Sequence, residues 1–526
     1  MFEEEINELK INYEQALKKR DEGDYKGAVE ALYKALDIDN KNVDVLVMLA
    51  EIFSLLNDYE RSVKYYSLAL EIDSNNLNIL SAVFNTSFKA GLYRDALNYA
   101  KQALDKEKSE KNYLQFIKVI DKFGDIKSLK TILNEPNLSS KVLFEIALVF
   151  VKHAFIADAE AILTRITDDE YKKACEGIIA FNRNETENIK SLFDNINIVN
   201  DEIFNIKGLL YTDEMNFSDA VKYFMSAINL NPQEPKYYFN LANAYFYNGW
   251  IKEAENAYRK AISSDLENVD YRFALANMFY EISEFNKAKQ EVENILKIEP
   301  NHTNTKVLNA LLKYKNKDFL GAKNDLENIT LYVQNNNFIN ISLSEILTEL
   351  SDYERAEELL FKVMANDKEN VYALSAFAKL LFNEKKYDEA LEIVDCILGK
   401  NKYYMDALQT GMKTSYALNN FELVKKYASD AIAIDTNFAD AYYYLAILSE
   451  KNEDYPEAIE CLKRAILSDL NNADYYIKMA QIYEKTGDIK SALEYAAEAV
   501  SINADKTEYM LYYSSLAKIN RNICQK

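Results

Sequence analysis

The chain has 526 residues, of which 49% are hydrophobic and 28% charged, a balance that excludes a disordered or fibrous protein. It contains only 11 glycines and 5 prolines, and because sheet-rich folds depend on turn residues, this scarcity favours helices. The formal net charge of −22 argues against nucleic-acid binding, which draws on Lys and Arg, and fits a basic or neutral protein partner better.

The N-terminal stretch MFEEEINELK is acidic and lacks an apolar segment, so no secretory signal peptide is predicted. The densest apolar run, from Val142 to Val151, is too short to span a bilayer and contains Glu145. We therefore expect a cytoplasmic protein that does not insert directly into a membrane.

A repeat organises most of the chain. One position, usually alanine, recurs with gaps of 34, 34, 33, 30, 30 and 31 residues and then eight gaps of 34. Aromatic residues stand three positions before many of these small residues, and a second small residue often follows seven positions later. The recurring positions are Ala28, Ser62, Ala96, Leu129, Ala159, Ile189, Ala220, Ala254, Ala288, Ala322, Ala356, Ala390, Val424, Ala458 and Ala492.

The repeat length divides the chain into four parts. Residues 1–110 form an N-terminal block of repeats, and 201–506 form a regular array of 34-residue units. Between them, 111–200 has shorter units, interpreted either as diverged repeats with shorter helices or as a junction that bends the array. Residues 507–526 are predicted to form a capping helix and tail, because the last unit needs its apolar edge covered.

The unit that starts at Pro235 shows what each repeat encodes. Two antiparallel helices are predicted, at about Pro235–Asn248 and Ile251–Ser264. Alanines at the helix crossing let the two backbones approach closely, and the neighbouring rings fill the space beside them. Gly249 is placed to make the tight turn between the helices.

This pattern resembles the tetratricopeptide repeat, a helix–turn–helix unit of 34 residues. The resemblance covers nearly the whole chain and implies an all-α, right-handed α-solenoid of about fifteen units plus a C-terminal capping helix. In the unit at Pro235, the residues at the family's signature positions are Leu241, Ala242, Tyr245, Gly249, Ala254, Tyr258 and Ala261.

No catalytic chemistry is apparent in the sequence. Walker, GxSxG, HExxH and EF-hand patterns are absent, the four cysteines form no CxxC pair, and the only histidines are His153 and His302. The acidic residues are expected at helix starts and on outward, solvated faces. We therefore predict no enzyme activity, no catalytic residue, no cofactor and no metal.

The resemblance implies that the first helix of each unit lines a concave groove in which partner peptides lie. Aromatic rings in this groove can contact a partner's side chains, and side-chain amides can hydrogen-bond to its backbone. The alternative is that the rings pack between neighbouring first helices; under the groove interpretation, at least two of Phe239, Phe246, Phe273 and Tyr280 should be substantially exposed. The candidate groove residues are Phe239, Asn240, Asn243, Phe246, Tyr247, Phe273, Asn277, Tyr280 and Tyr314.

The predicted function is that of a scaffold or adaptor that binds a protein or peptide in this groove. The alternative is a structural assembly factor of a pilus, secretion or envelope complex that works through self-association. The sequence leaves the partner, the pathway and the oligomeric state open.

Overall fold

A computed structural model describes residues 2–185, 189–194, 196–333 and 336–524. Over these residues the chain forms 31 α-helices and no β-strand. The helices fall into two compact units, Met1–Asp265 and Leu266–Lys526. In each unit, every odd-numbered helix except the last forms a hairpin with the helix that follows it, and the hairpins stack in chain order.

Unit 1 contains eight helix hairpins. Its helices are α1 Phe2–Asp21, α2 Tyr25–Ile38, α3 Val43–Leu55, α4 Tyr59–Ile72, α5 Leu77–Lys89, α6 Tyr93–Lys106, α7 Glu110–Phe123, α8 Lys127–Ile132, α9 Ser140–Lys152, α10 Ile156–Leu163, α11 Asp169–Asn182, α12 Ile189–Asp194, α13 Asp201–Asp213, α14 Phe217–Leu230, α15 Pro235–Tyr247 and α16 Ile251–Ser264.

Unit 2 contains seven hairpins and a final single helix. Its helices are α17 Val269–Glu281, α18 Phe285–Ile298, α19 Thr303–Lys315, α20 Phe319–Thr330, α21 Asn337–Glu349, α22 Tyr353–Asn366, α23 Val371–Asn383, α24 Tyr387–Lys400, α25 Met405–Ala417, α26 Phe421–Ile434, α27 Ala439–Lys451, α28 Tyr455–Ser468, α29 Ala473–Thr486, α30 Ile489–Ile502 and α31 Thr507–Cys524.

The recurring small residues lie at the centre of each hairpin. All fifteen, from Ala28 to Ala492, have a solvent exposure of 0%. Their burial confirms the predicted packing face, and the hairpin at Pro235 has the predicted helices within one residue. The chain is therefore an α-solenoid of helix hairpins.

The segment with shorter repeats keeps the hairpin plan but has short second helices. Helices α8, α10 and α12 have 6, 8 and 6 residues, against 14 in most other second helices. Larger core residues such as Leu129, Ile189 and Phe193 fill the hairpins, within a core that extends from Phe84 to Ile206. The structure thus shows helix hairpins with short second helices in this segment; their interpretation as diverged repeats, a bend at this place and the boundaries at 110, 200 and 506 stay predictions.

The last helix, α31, covers the apolar face of the hairpin before it. Leu516 is fully buried among Ala480, Ala492 and Ala496. Tyr509 is buried beside Ala473 and Ala499. The last hairpin therefore does not leave its core open to water.

The turn inside each hairpin requires one residue in the left-handed region. Gly249 has φ of 80°, which confirms its predicted role, and four other hairpins also use glycine there. Ten hairpins place a residue with a side chain at the equivalent position, at a steric cost of about 1–2 kcal/mol each. These ten are Asn57, Ala154, Asn184, Met215, Ser283, Lys317, Ser351, Lys385, Asn419 and Glu453.

We expect Lys385→Gly to stabilise the protein by about 1 kcal/mol, because glycine removes the strain of φ 63° in an exposed turn. Urea unfolding of unit 2 measures the effect. Lys385→Ala is the control, since it also removes the side chain but keeps the Cβ that causes the strain. Equal midpoints for the two variants would mean that the turn geometry contributes nothing.

Candidate protein-binding surface

The nine candidate groove residues all lie on first helices, but in two different units. Phe239, Asn240, Asn243, Phe246 and Tyr247 are on α15 in unit 1, whereas Phe273, Asn277, Tyr280 and Tyr314 are on α17 and α19 in unit 2. Each set has its own surroundings and is described within its unit.

In unit 1, the polar candidates on α15 already have partners. Asn243 accepts a hydrogen bond through its Oδ1 from the hydroxyl of the buried Tyr258. Asn240 donates through Nδ2 to Oδ1 of Asn205 at 2.7 Å. The bond to Asn243 joins the two helices of one hairpin, whereas the bond of Asn240 joins α15 to α13.

The rings on α15 differ in exposure. Phe239 packs edge-on against Tyr258 with ring centres 6.0 Å apart, and Phe246 lies beside Tyr247 at 5.5 Å. Tyr247 stacks on Phe217 at 5.7 Å, yet 63% of its surface remains exposed. Tyr247 is thus the most accessible of the predicted rings in unit 1.

In unit 2, Phe273 packs against His302, the residue that precedes α19 in the next repeat. His302 caps the N-terminus of α19 by accepting a hydrogen bond from the Thr305 N–H, and its ring packs edge-on against Phe273 at 5.6 Å. This contact gives His302 a structural role. Asn277, one turn along from Phe273, donates from Nδ2 to Oε1 of Glu281 at 2.7 Å.

Tyr280 and Tyr314 each pack against the ring that begins the second helix of their own hairpin. The ring centres of Tyr280 and Phe285 are 5.8 Å apart, and those of Tyr314 and Phe319 are 5.6 Å apart. Each ring pair therefore joins the two helices of one hairpin.

The expectation that at least two of Phe239, Phe246, Phe273 and Tyr280 are substantially exposed is wrong. All four are half-buried. The chain is rich in aromatic residues, so each of these four side chains packs against another ring. Such aromatic pairs are favourable beyond the area that they bury.

A small cavity on unit 2 nevertheless brings candidate residues together. Its volume is about 170 Å³, and the first helices α17, α19 and α21 all contribute to its wall. Phe273 and Asn277 line it, together with residues that the sequence prediction omitted. The complete lining is Phe273, Asn277, Thr303, Asn304, Val307, Leu308, Leu311, Asn336, Phe338 and Ile339.

Phe338 is the most exposed ring of this cavity, with 58% of its surface accessible. It lies in the first turn of α21, two first helices away from Phe273. The repeat pattern could have suggested it, because Phe338 and the exposed Tyr372 occupy the same position in successive units.

Carboxylates lie on the same helices, farther along the chain from this cavity. Burial and, after it, the charge of Glu345 on α21 raise the pKa of Tyr280 to about 12. Burial and then Glu345 and Glu349 likewise raise the pKa of Tyr314. Both hydroxyls are therefore neutral at physiological pH and face carboxylate charge. We call the cavity residues together with Tyr280, Tyr314, Glu345 and Glu349 the α17–α19–α21 surface.

A larger cavity, of about 930 Å³, lies beside α18, α19 and α20 and was not predicted. Its wall mixes polar and apolar side chains, and its Asp325 already accepts from Asn309 at 3.2 Å and pairs with Lys313 at 2.7 Å. One first helix, α19, contributes to its wall, whereas three first helices form the smaller cavity. The smaller cavity is therefore the better candidate for partner binding.

Within the described residues, no group of three or more His, Cys, Asp and Glu side chains is arranged to hold a metal ion. No helix in the described ranges combines the length and the apolar character needed to cross a membrane.

Comparison with protein families identifies the repeat. Models described as tetratricopeptide repeat match residues 19–83, 201–234, 235–268 and 443–506. The matches lie in both units, and those at 201–234 and 235–268 each span one hairpin, α13–α14 and α15–α16. These segments are therefore tetratricopeptide repeats, and proteins built from such repeats generally mediate protein–protein interactions or assembly.

Solved structures include long and short repeat proteins similar to this chain. The Cut9–Hcn1 hetero-tetramer of APC/C matches with 13% identity, 97% of this chain, 96% of that chain and a TM-score of 0.39. Yeast Tom70 matches with 15% identity over 98% of this chain and 96% of that chain, with a TM-score of 0.37. A thermophilic TPR protein of Thermus thermophilus matches with 16% identity, 35% of this chain, 99% of that chain and a TM-score of 0.32. At these values the likenesses carry no argument about function. No curated protein matches the chain.

Proposed function

We propose that this protein is a non-catalytic scaffold or adaptor of the cytoplasm that holds a protein or peptide partner on the α17–α19–α21 surface. The observation that carries the proposal is the cavity that three successive first helices form around Phe273, Val307 and Phe338. A surface made by several repeats is available only in the folded stack, and it is large enough to receive a side chain of a partner.

The character of this surface suits a protein segment. Its wall combines apolar side chains such as Val307 and Leu311 with the amides of Asn277 and Asn304. The apolar part gains free energy when a partner removes it from water, at about 25 cal/mol per Å². Asn277 bonds to Glu281 through its Nδ2, so its Oδ1 can accept a hydrogen bond from a partner's backbone N–H.

The α15 residues of unit 1 are proposed as a second contact surface. Tyr247 is its principal member, since its ring is the most exposed of the five. Phe239, Asn240 and Phe246 then support it from partly buried positions.

We expect Phe338→Ala to abolish or strongly weaken partner capture while the melting temperature stays nearly unchanged. The ring is mostly exposed, so its removal costs the fold little, whereas a binding hot spot contributes about 2 kcal/mol or more. The measurement is quantitative affinity capture from the native lysate with mass spectrometry, combined with thermal unfolding of each variant.

Leu320→Ala is the matched control for this experiment. Leu320 is 65% exposed, lies on the second helix α20 and does not line the cavity. If both variants capture the same proteins as the wild-type chain, the proposed surface is wrong. Size-exclusion chromatography with light scattering gives a second test, because concentration-dependent assembly of the pure chain would favour the self-association alternative.

A further inference from the structure

We infer that the partner segment is both apolar and basic: one apolar side chain enters the cavity, and a neighbouring Lys or Arg lies between Tyr280, Tyr314 and the carboxylates of Glu345 and Glu349. This inference rests on the proposed function and adds the chemistry of the partner to it. An acidic segment would be rejected.

The relative placement of cavity and carboxylates follows from helix geometry. Residues three or four positions apart share one face of a helix, about one turn or 5 Å apart along its axis. On α17, Tyr280 follows the cavity residue Asn277 by three positions, and on α19, Tyr314 follows Leu311 by three. On α21, Glu345 lies seven positions, or two turns, beyond Phe338.

The three helices present these residues to one another. First helices of successive repeats pack side by side, with α19 between α17 and α21. Glu345 on α21 holds the repeat position of the cavity residues Leu311 on α19 and Asn277 on α17, and its charge, after burial, raises the pKa of Tyr280. The two rings and the carboxylates therefore line a continuous strip beside the cavity.

The charge on this strip is negative after its internal pairs are counted. Lys379 lies 3.2 Å from Glu345 and 3.5 Å from Asp406, and Lys315 lies over the ring of Tyr314 at 6.0 Å. Against these two cations stand the carboxylates of Glu281, Glu345, Glu349 and Asp406. Glu349 is exposed and has no ion-pair partner among the described residues.

The nearest other lysines on these helices do not offset the excess. Lys313 pairs with Asp325 at 2.7 Å, and Lys306 donates to Oδ1 of Asn301 at 3.0 Å. Lys306, Asn301 and Asp325 line the larger cavity beside α20. A Lys or Arg from a partner would thus meet carboxylate charge together with aromatic rings, and both attract a cation.

The test uses the full chain and a phage-displayed library of random dodecapeptides as the probe. Selection at low salt should enrich peptides with a Leu, Ile, Met or Phe and a Lys or Arg at a fixed spacing. Their affinity should fall about two- to fivefold with Glu349→Gln and with added salt. It should fall about tenfold or more with Phe338→Ala.

Glu354→Gln is the matched control, since it makes the same charge change at an exposed site on the second helix α22. Equal losses of peptide affinity for Glu349→Gln and Glu354→Gln would show that the effect comes from the net charge of the protein, and would overturn the inference. Peptides that need Phe338 but are indifferent to Glu349 and to salt would also overturn it, while the proposed function stands. If no peptide is selected, or the selected peptides bind the Phe338→Ala variant normally, the proposed function and the inference both fail.

Discussion

Replacing Ala254 with tryptophan should destabilise unit 1 by about 1–3 kcal/mol or more. Ala254 has an exposure of 0% on α16, and its partner helix α15 presents Ala242 and Ala244, which are equally buried. Because the small residues allow the two backbones to approach closely, an indole at this position forces the hairpin apart. Ala458→Trp tests the same position in unit 2, where Ala446 and Leu462 are fully buried beside it.

Lys252→Trp is the control, since Lys252 lies on the same helix two positions earlier and is exposed. Thermal and urea unfolding should show a large loss for Ala254→Trp and a change within about 0.5 kcal/mol for Lys252→Trp. Equal losses at the two positions would show that the packing face of α16 is wrongly assigned.

The hairpin array could be predicted from the sequence because the same packing of two helices recurs in fifteen hairpins. Each hairpin has to pack two helices together, and a buried residue recurs at the crossing in all fifteen, alanine or serine in twelve of them. Helix limits followed from the same spacing, as at Pro235 and Ile251, which begin α15 and α16. A residue pattern that recurs in every repeat can be recognised in the sequence without knowledge of contacts between distant residues.

The candidate site could be predicted only in part, since it depends on neighbours that spacing does not reveal. Phe273 and Asn277 do line a cavity, but Phe338 joins them from a helix two repeats later. The partial burial of Tyr280 results from its contact with Phe285, and one amide oxygen of the proposed set is occupied by Tyr258. Whether the nine residues bind a partner stays a prediction.

The expectation that acidic residues lie on outward, solvated faces is wrong for two of them. Glu291 and Glu450 are buried, with exposures of 6% and 9%. Glu291 pairs with Arg272 at 3.5 Å, and Glu450 lies near two lysines of α29. In the repeat, Glu450 stands at the position held by Tyr280 and Tyr314 in earlier units, so a charge network replaces a ring there.

We expect Glu450→Gln to lower the free energy of unfolding of unit 2 by about 1.5–3 kcal/mol at pH 7, as for hydrogen bonds to a charged group. The carboxylate of Glu450 on α27 lies 2.5 Å from Nζ of Lys478 and 2.9 Å from Nζ of Lys485, so it joins two successive first helices. The neutral amide keeps the shape of the side chain but loses the charge that both lysines need. Glu460→Gln, at an exposed position on α28, is the control.

The same residue should make stability depend on pH. Burial raises the pKa of Glu450, but the hydrogen bonds from Lys478 and Lys485 act more strongly together and hold the pKa below its ordinary value. A carboxyl whose pKa is lower in the folded chain than in the unfolded chain binds more protons after unfolding. Its stabilisation is therefore complete above the unfolded pKa and is lost as the pH falls from about 5 through the lowered folded pKa. The wild-type chain and Glu450→Gln should accordingly differ most near pH 7 and converge in acid, as measured by urea unfolding at a series of pH values. A constant difference between the two down to about pH 3 would show that the network stabilises the helices by packing alone and not by charge.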